Sequence, residues 1–71
     1  SPLEQWPHER LSDREFQVLC AIGQGKTVSA IAGDMALSVK TVSTYRTRLL
    51  DKLKMRNTTE LIRYTLDHAL V

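Results

Sequence analysis

Cysteine is nearly missing from this sequence: the 71 residues hold one, Cys20. A lone thiol closes no internal disulfide and forms no metal-binding pair. Cys20 falls in a helical apolar pattern, so a buried structural thiol is expected rather than a reactive one. Histidine is scarce as well. His8 and His68 stand at opposite ends of the chain, and no Ser/His/Asp or Cys/His arrangement follows from spacing. Asp67 and His68 are adjacent on a helix end, where neighbours do not face each other. Gly23-Gln24-Gly25 lacks the continuation of a phosphate-binding loop and reads as a helix C-cap. No apolar run approaches the roughly 20 residues of a membrane span, and no signal peptide is visible. Strand-like alternation, repeats and low-complexity segments are also missing. These absences argue against an enzyme, a metal site, a cofactor and a membrane role. They suit a reducing cytoplasmic setting.

What is present fits one small soluble domain with one core: 42% of residues are hydrophobic and 25% charged. The net charge of +2 says little, but its distribution is uneven. Residues 1–39 sum to −2 and residues 57–71 to −1, whereas residues 40–56 sum to +5. That central segment carries Lys40, Arg46, Arg48, Lys52, Lys54 and Arg56 against Asp51 alone. Such a concentrated field attracts a polyanion even from a nearly neutral domain.

The same segment reads as one long helix over 38–54. Ser38 is a good N-cap, and neither Gly nor Pro interrupts it. At about 100° per residue, Val42, Leu49 and Leu53 share a stripe flanked by Tyr45, Val39 and Leu50. Lys40, Ser43, Thr44 and Thr47 fall opposite, beside Asp51 and Lys54, and Thr41, Arg48 and Lys52 line one border. One face can be buried while the other carries small hydroxyls and cations. That polar face suits the DNA major groove, where small residues allow close approach, hydroxyls meet base edges and cations meet phosphates. A solvated face on an ordinary amphipathic helix would look similar, so the neighbouring helices decide.

The first ten residues contain Pro2, Pro7 and Trp6 and show no period. They read as a linker or an appended end that packs partly through Leu3 and Trp6. Ser12 and Glu15 form a capping box, with Leu11 as a hydrophobic staple, and the helix they start should end near Gly23–Gly25. Phe16, Leu19 and Cys20 make one apolar stripe on it, and Val18 and Ile22 a second. Thr27 starts another helix with Val28, Ile31, Ala32 and Met35 on one side. Ala36-Leu37-Ser38 then leads into the basic helix. Two short helices joined by such a turn, the second basic on its free face, describe a helix-turn-helix. Asn57 caps a fourth helix over 58–68, with Glu60 completing a capping box. Leu61, Ile62, Thr65, Leu66 and Ala69 give that helix a broad apolar side.

The segment 11–15, then Val18-Leu19, Gly25, Ile31-Ala32, Leu37-Ser38, Lys40-Thr41-Val42, Lys52-Leu53 and Thr59-Glu60-Leu61 resemble the LuxR/NarL (FixJ, GerE) DNA-binding domain in order and spacing. The resemblance covers about residues 11–71, and the run from Lys40 to Leu53 looks most like the BvgA/EvgA branch of two-component response regulators. It implies an all-α, four-helix fold whose third helix enters the major groove. It implies an output domain that regulates transcription, binds double-stranded DNA as a homodimer, and is controlled by an N-terminal receiver or sensor domain. RNA polymerase is a further expected partner. Carried over by position, Lys40 and Thr41 would meet phosphate, Ser43, Thr44 and Thr47 would face base edges, and Arg48 and Lys52 would anchor the flanking backbone. The fourth helix would supply the dimer contact, with Leu61, Tyr64 and His68 as candidates; core packing is the other available role for Leu61.

The chain departs from the family pattern in places. Ala30 stands where Glu commonly gives Thr27 a capping-box partner, so the second helix is expected to fray at its start. Tyr45 replaces a common His. Arg46 falls inside the apolar arc, so its stem should lie along the core with the guanidinium at the edge. Ala69 stands where Gly is usual, so the last turn is expected to end differently. The base-facing trio contains neither Arg nor Asn, which leaves more of the specificity to DNA shape and dimer spacing. Two other accounts remain: a sigma-factor-like helical module, and a bundle whose basic face binds an acidic protein. Preference for one duplex sequence over random duplex separates a regulator from the latter.

Overall fold

The computed structural model describes residues 6–71. After a short 3-10 turn over Pro7–Arg10 come four helices: α1 Asp13–Gly23, α2 Val28–Met35, α3 Val39–Lys52 and α4 Thr58–Asp67. No strand occurs among the described residues, so the domain is all-α. Leu3 lies outside the described residues.

Each helix begins with a side-chain cap at the expected residue. Ser12, Thr27, Ser38 and Asn57 have extended backbones and accept hydrogen bonds from the amides of Glu15, Ala30, Thr41 and Glu60. These caps satisfy amides that lack intrahelical partners, at about 1 kcal/mol each. The Ser12–Glu15 box is complete, since Glu15 Oε1 accepts the Ser12 amide at 2.9 Å. Thr27 keeps its cap without a Glu partner, at 3.1 Å from the Ala30 amide. The box expected at Asn57 differs: the Glu60 carboxylate accepts the amide of Arg56 at 2.7 Å, one residue before the cap.

The helix ends share another device. Gly25, Ala36, Lys54 and Ala69 all have left-handed backbones, with φ of 87°, 55°, 56° and 53°. The next residue in each case returns an amide into its helix: Lys26 to Ala21, Leu37 to Ala32, Met55 to Leu50 and Leu70 to Thr65. This is the Schellman closure, for which Gly is the usual residue. Ala69 therefore ends α4 in the geometry a Gly would take, contrary to the expectation from its side chain. α3 closes at Lys52, two residues short of the expected end.

The core takes Val18, Leu19 and Ile22 from α1, Ile31 and Ala32 from α2, Val42, Leu49 and Leu53 on and just after α3, and Leu61 and Tyr64 from α4. Helix α1 runs through the middle and packs against the other three. Phe16 and Cys20 are only half-buried, at an open groove between α1 and α2. Helices α1 and α4 come close at Gly23, where a Cβ would come within 2.8 Å of Thr65 Cβ. A side chain there has no room, which lets the end of α1 lie directly on α4. The buried side of α4 is Leu61, Tyr64 and Thr65; Leu66 and Ala69, expected on that side, point outward.

Candidate nucleic-acid interface

Helix α3 is held by its buried residues Val42 and Leu49 and by Leu53 at its C-cap. Packing of this stripe on α1 and α2 fixes which side faces out. Lys40, Thr44, Thr47 and Arg48 are exposed, and Thr41 and Ser43 are half-exposed on the same side. The sequence-derived partition of α3 is thus reproduced in space except at Val39, which was expected beside the buried stripe and is 50% exposed. Arg46 lies at the edge, half-buried, and its guanidinium donates to Thr58 Oγ1 at 3.4 Å. Tyr45 is half-buried, with the Arg48 guanidinium carbon 5.9 Å from its ring centroid.

The hydroxyls of this face are ordered by the helix itself. Ser38 Oγ accepts the Thr41 amide at 3.1 Å and donates to Thr41 Oγ1 at 2.9 Å. Thr41 therefore keeps its own proton for an outside acceptor at the helix N-terminus, where the backbone dipole also favours an anion. Thr44 and Thr47 donate instead to the carbonyls of Lys40 and Ser43, at 3.1 and 3.0 Å. Mid-helix threonines commonly bond backward in this way.

Lys52 has a partner that the sequence reading did not assign. Its ammonium lies 2.8 Å from Glu15 Oε1, across from α1. Glu15 is 3% exposed, and this bond together with the Ser12 amide holds its carboxyl below the ordinary range. Desolvation opposes that shift but is outweighed. A signal was available, because Glu15, Leu19 and Ile22 lie on one helical face and a carboxylate on a buried stripe needs a cation. What was missing was the pairing across 37 positions. The ammonium has three donors, so Lys52 retains capacity to meet a phosphate as well.

Of the three residues considered for a dimer contact, two are buried and His68 is half-exposed. Leu61 is fully buried in the core, and Tyr64 is 7% exposed. The Tyr64 hydroxyl accepts the His8 amide at 3.2 Å and lies 2.7 Å from His8 Nδ1. His68 stacks at 4.2 Å from the Tyr64 ring, with Trp6 edge-on at 5.0 Å. Trp6 thus packs on the end of α4 rather than into the core and stays 48% exposed. Burial, and then the nearby His68, lowers the pKa of His8; burial raises that of Tyr64. A neutral His8 can accept the tyrosine proton at Nδ1, which fits the short contact. The outward side of α4 instead carries Thr59, Ile62, Arg63 and Leu66, the last 63% exposed.

No group of three or more His, Cys, Asp or Glu residues that could hold a metal ion occurs among the described residues. Burial raises the pKa of the Cys20 thiol, which disfavours a reactive thiolate. No helix among the described residues is long and apolar enough to cross a membrane.

Comparison with known proteins gives this arrangement its context. The transcriptional regulatory protein LiaR of Bacillus subtilis is 38% identical over 65 residues, covering 92% of this chain and 31% of LiaR. The transcription regulator BvgA of Bordetella pertussis is 54% identical over 52 residues, 73% of this chain and 25% of BvgA. The response regulator UvrY of Escherichia coli is 38% identical over 64 residues, 90% of this chain and 29% of UvrY. The chain spans about a quarter to a third of the length of these relatives. A family model described as bacterial regulatory proteins, luxR family, matches residues 9–65, from the 3-10 turn through most of α4. With four capped helices in the expected order and the basic one facing outward, the chain belongs to the luxR family of bacterial regulatory proteins.

Proposed function

We propose that this domain binds double-stranded DNA in a sequence-specific manner and regulates transcription, with α3 in the major groove. Membership of the luxR family supports DNA-binding regulation as its role. The observation that carries the groove assignment is the outward face of α3, where Lys40, Thr41, Ser43, Thr44, Thr47 and Arg48 gather beside a helix N-terminus. Lys40, Thr41 and Arg48 would meet phosphate, and Ser43, Thr44 and Thr47 would face base edges. Lys52 would add a weaker phosphate contact, because Glu15 cancels much of its charge at long range.

We further propose that two copies pair through α4 on half-sites about one helical turn apart. The exposed Leu66 and the half-buried Ile62 are the apolar residues offered for that contact, in place of the buried Leu61 and Tyr64. In a longer protein, an N-terminal receiver or sensor domain would control the pairing, and RNA polymerase would read the bound complex.

The test is competition binding. The domain should prefer a selected site over random duplex by about 10³-fold or more, as a dimer. Equal affinity for every duplex would contradict sequence-specific regulation, and no affinity for duplex would favour a protein-binding role for the basic face.

A further inference from the structure

A threonine hydroxyl has one proton and two lone pairs, so the direction of its proton decides what it can read. On α3 two of the three base-facing hydroxyls have that direction set. Thr44 Oγ1 donates to the Lys40 carbonyl at 3.1 Å, and Thr47 Oγ1 to the Ser43 carbonyl at 3.0 Å. Both side chains are exposed, so the lone pairs face outward. Branching at Cβ restricts χ1 and keeps each oxygen where the helix puts it. Ser43 differs: it is unbranched, and its hydroxyl makes no hydrogen bond among the described residues.

We infer that Thr44 and Thr47 read DNA as hydrogen-bond acceptors, and so distinguish amino bases from keto bases. The inference rests on the proposed insertion of α3 into the major groove. There, adenine N6 and cytosine N4 are donors, whereas guanine offers O6 and N7 and thymine offers O4, all acceptors. Every base pair therefore presents one amino group, on one strand or the other. An oxygen that only accepts selects the strand carrying that amino group and does not separate adenine from cytosine. Opposite guanine or thymine it meets lone pair with lone pair. Turning the hydroxyl outward relieves this but gives up the bond to the i−4 carbonyl.

That carbonyl keeps its helical amide partner, so only one hydrogen bond is at stake and discrimination is modest, about five- to tenfold per position. The two residues are three apart and share a helix face, about 4.5 Å along the axis. They should face neighbouring base pairs. Ser43, whose proton is uncommitted, accommodates either class.

The experiment is selection from randomised duplex at low salt, with the 71-residue chain and its Thr44→Val and Thr47→Val variants. Valine keeps the branched shape and removes the acceptor; melting by circular dichroism verifies that each variant folds. The wild-type sites should contain two neighbouring positions where adenine and cytosine interchange on one strand and guanine and thymine are depleted about five- to tenfold. Each Val variant should erase that bias at one of the two positions and leave the salt dependence of binding unchanged. A bias at these positions that separates purine from pyrimidine, or A·T from G·C pairs, or Val variants that select the same sites, would overturn the acceptor assignment. Amide shifts on adding duplex separate the two levels. If they fall on α3 while the bias is absent, only the acceptor assignment fails. If the chain binds no duplex, or the shifts avoid residues 38–56, the groove insertion fails with it.

Discussion

The outer faces of α3 and α4 differ in kind. On α3 the exposed residues are Lys40, Thr44, Thr47, Arg48, Asp51 and Lys52, with Val39 at the start as the one exposed hydrophobic; on α4 the largest exposed hydrophobic is Leu66, with half-buried Ile62 one turn before it. Both helices bury an apolar stripe in one core, so core packing alone does not account for the difference. It teaches that the two free faces are suited to different partners. A cationic face with fixed hydroxyls suits a polyanion with ordered donors and acceptors. Exposed apolar side chains suit another apolar surface, and a second copy of α4 offers one.

The largest expected effect breaks the α4 side of this contrast. Leu66→Glu should lower affinity for a paired half-site about a hundredfold, because it removes the gain from linking two binding events. Affinity for a single half-site should hardly change. Gel-shift titrations on both duplexes measure this, and equal losses on the two would detach α4 from dimer formation.

Breaking the α3 side should have a smaller but diagnostic effect. Lys40→Ala with Arg48→Ala should flatten the log–log salt dependence by nearly two units and weaken all duplexes alike. Lys52→Ala should flatten it less, since Glu15 sits 2.8 Å from that ammonium. A full unit lost at Lys52 would show that its ion pair opens on DNA.

Glu15 sharpens the comparison from beneath, because it ties α1 to the end of α3. Its folded pKa is lowered, so its contribution to stability is present above the ordinary carboxyl range. That contribution should be lost as pH falls through the lowered value. Glu15→Gln should cost about 1–3 kcal/mol at neutral pH and remove this part of the acid dependence. Urea unfolding between neutral and acid pH checks both statements. A variant whose stability falls with pH as the wild type does would assign the acid dependence to other carboxylates.

The smallest effect concerns how the helices end. Ala36→Gly and Ala69→Gly should each stabilise the domain by about 0.5 kcal/mol, the left-handed strain relieved less the backbone entropy glycine adds. Thermal melts would show this, and a loss at either site would mean that the alanine side chain contributes more than its backbone strain costs.

These ends also mark what could be read from sequence. All four helix starts were legible, because Ser12, Thr27, Ser38 and Asn57 announce themselves by residue type. Only one of the four ends did so, Gly25; the left-handed backbones at Ala36, Lys54 and Ala69 come from the closure of the chain, not from residue preference. On α3 the split between buried and exposed faces was legible because helical period alone determines it. The Glu15–Lys52 pair was not, since it joins residues 37 apart, and neither was the docking of His8 on Tyr64, 56 apart. The burial of Leu61 and Tyr64 on α4 was not legible for the same reason. Periodicity gives a stripe, but which part of it is covered depends on the segment before α1 and on α1 itself.

The most direct test of the central claim, that the outward face of α3 enters the DNA groove, is NMR chemical-shift mapping with duplex at low salt. The account predicts shifts concentrated on Lys40, Thr41, Ser43, Thr44, Thr47 and Arg48, with smaller ones at Lys52. Shifts that are absent, or that lie on α4 or in the groove between α1 and α2 while α3 stays silent, would contradict it.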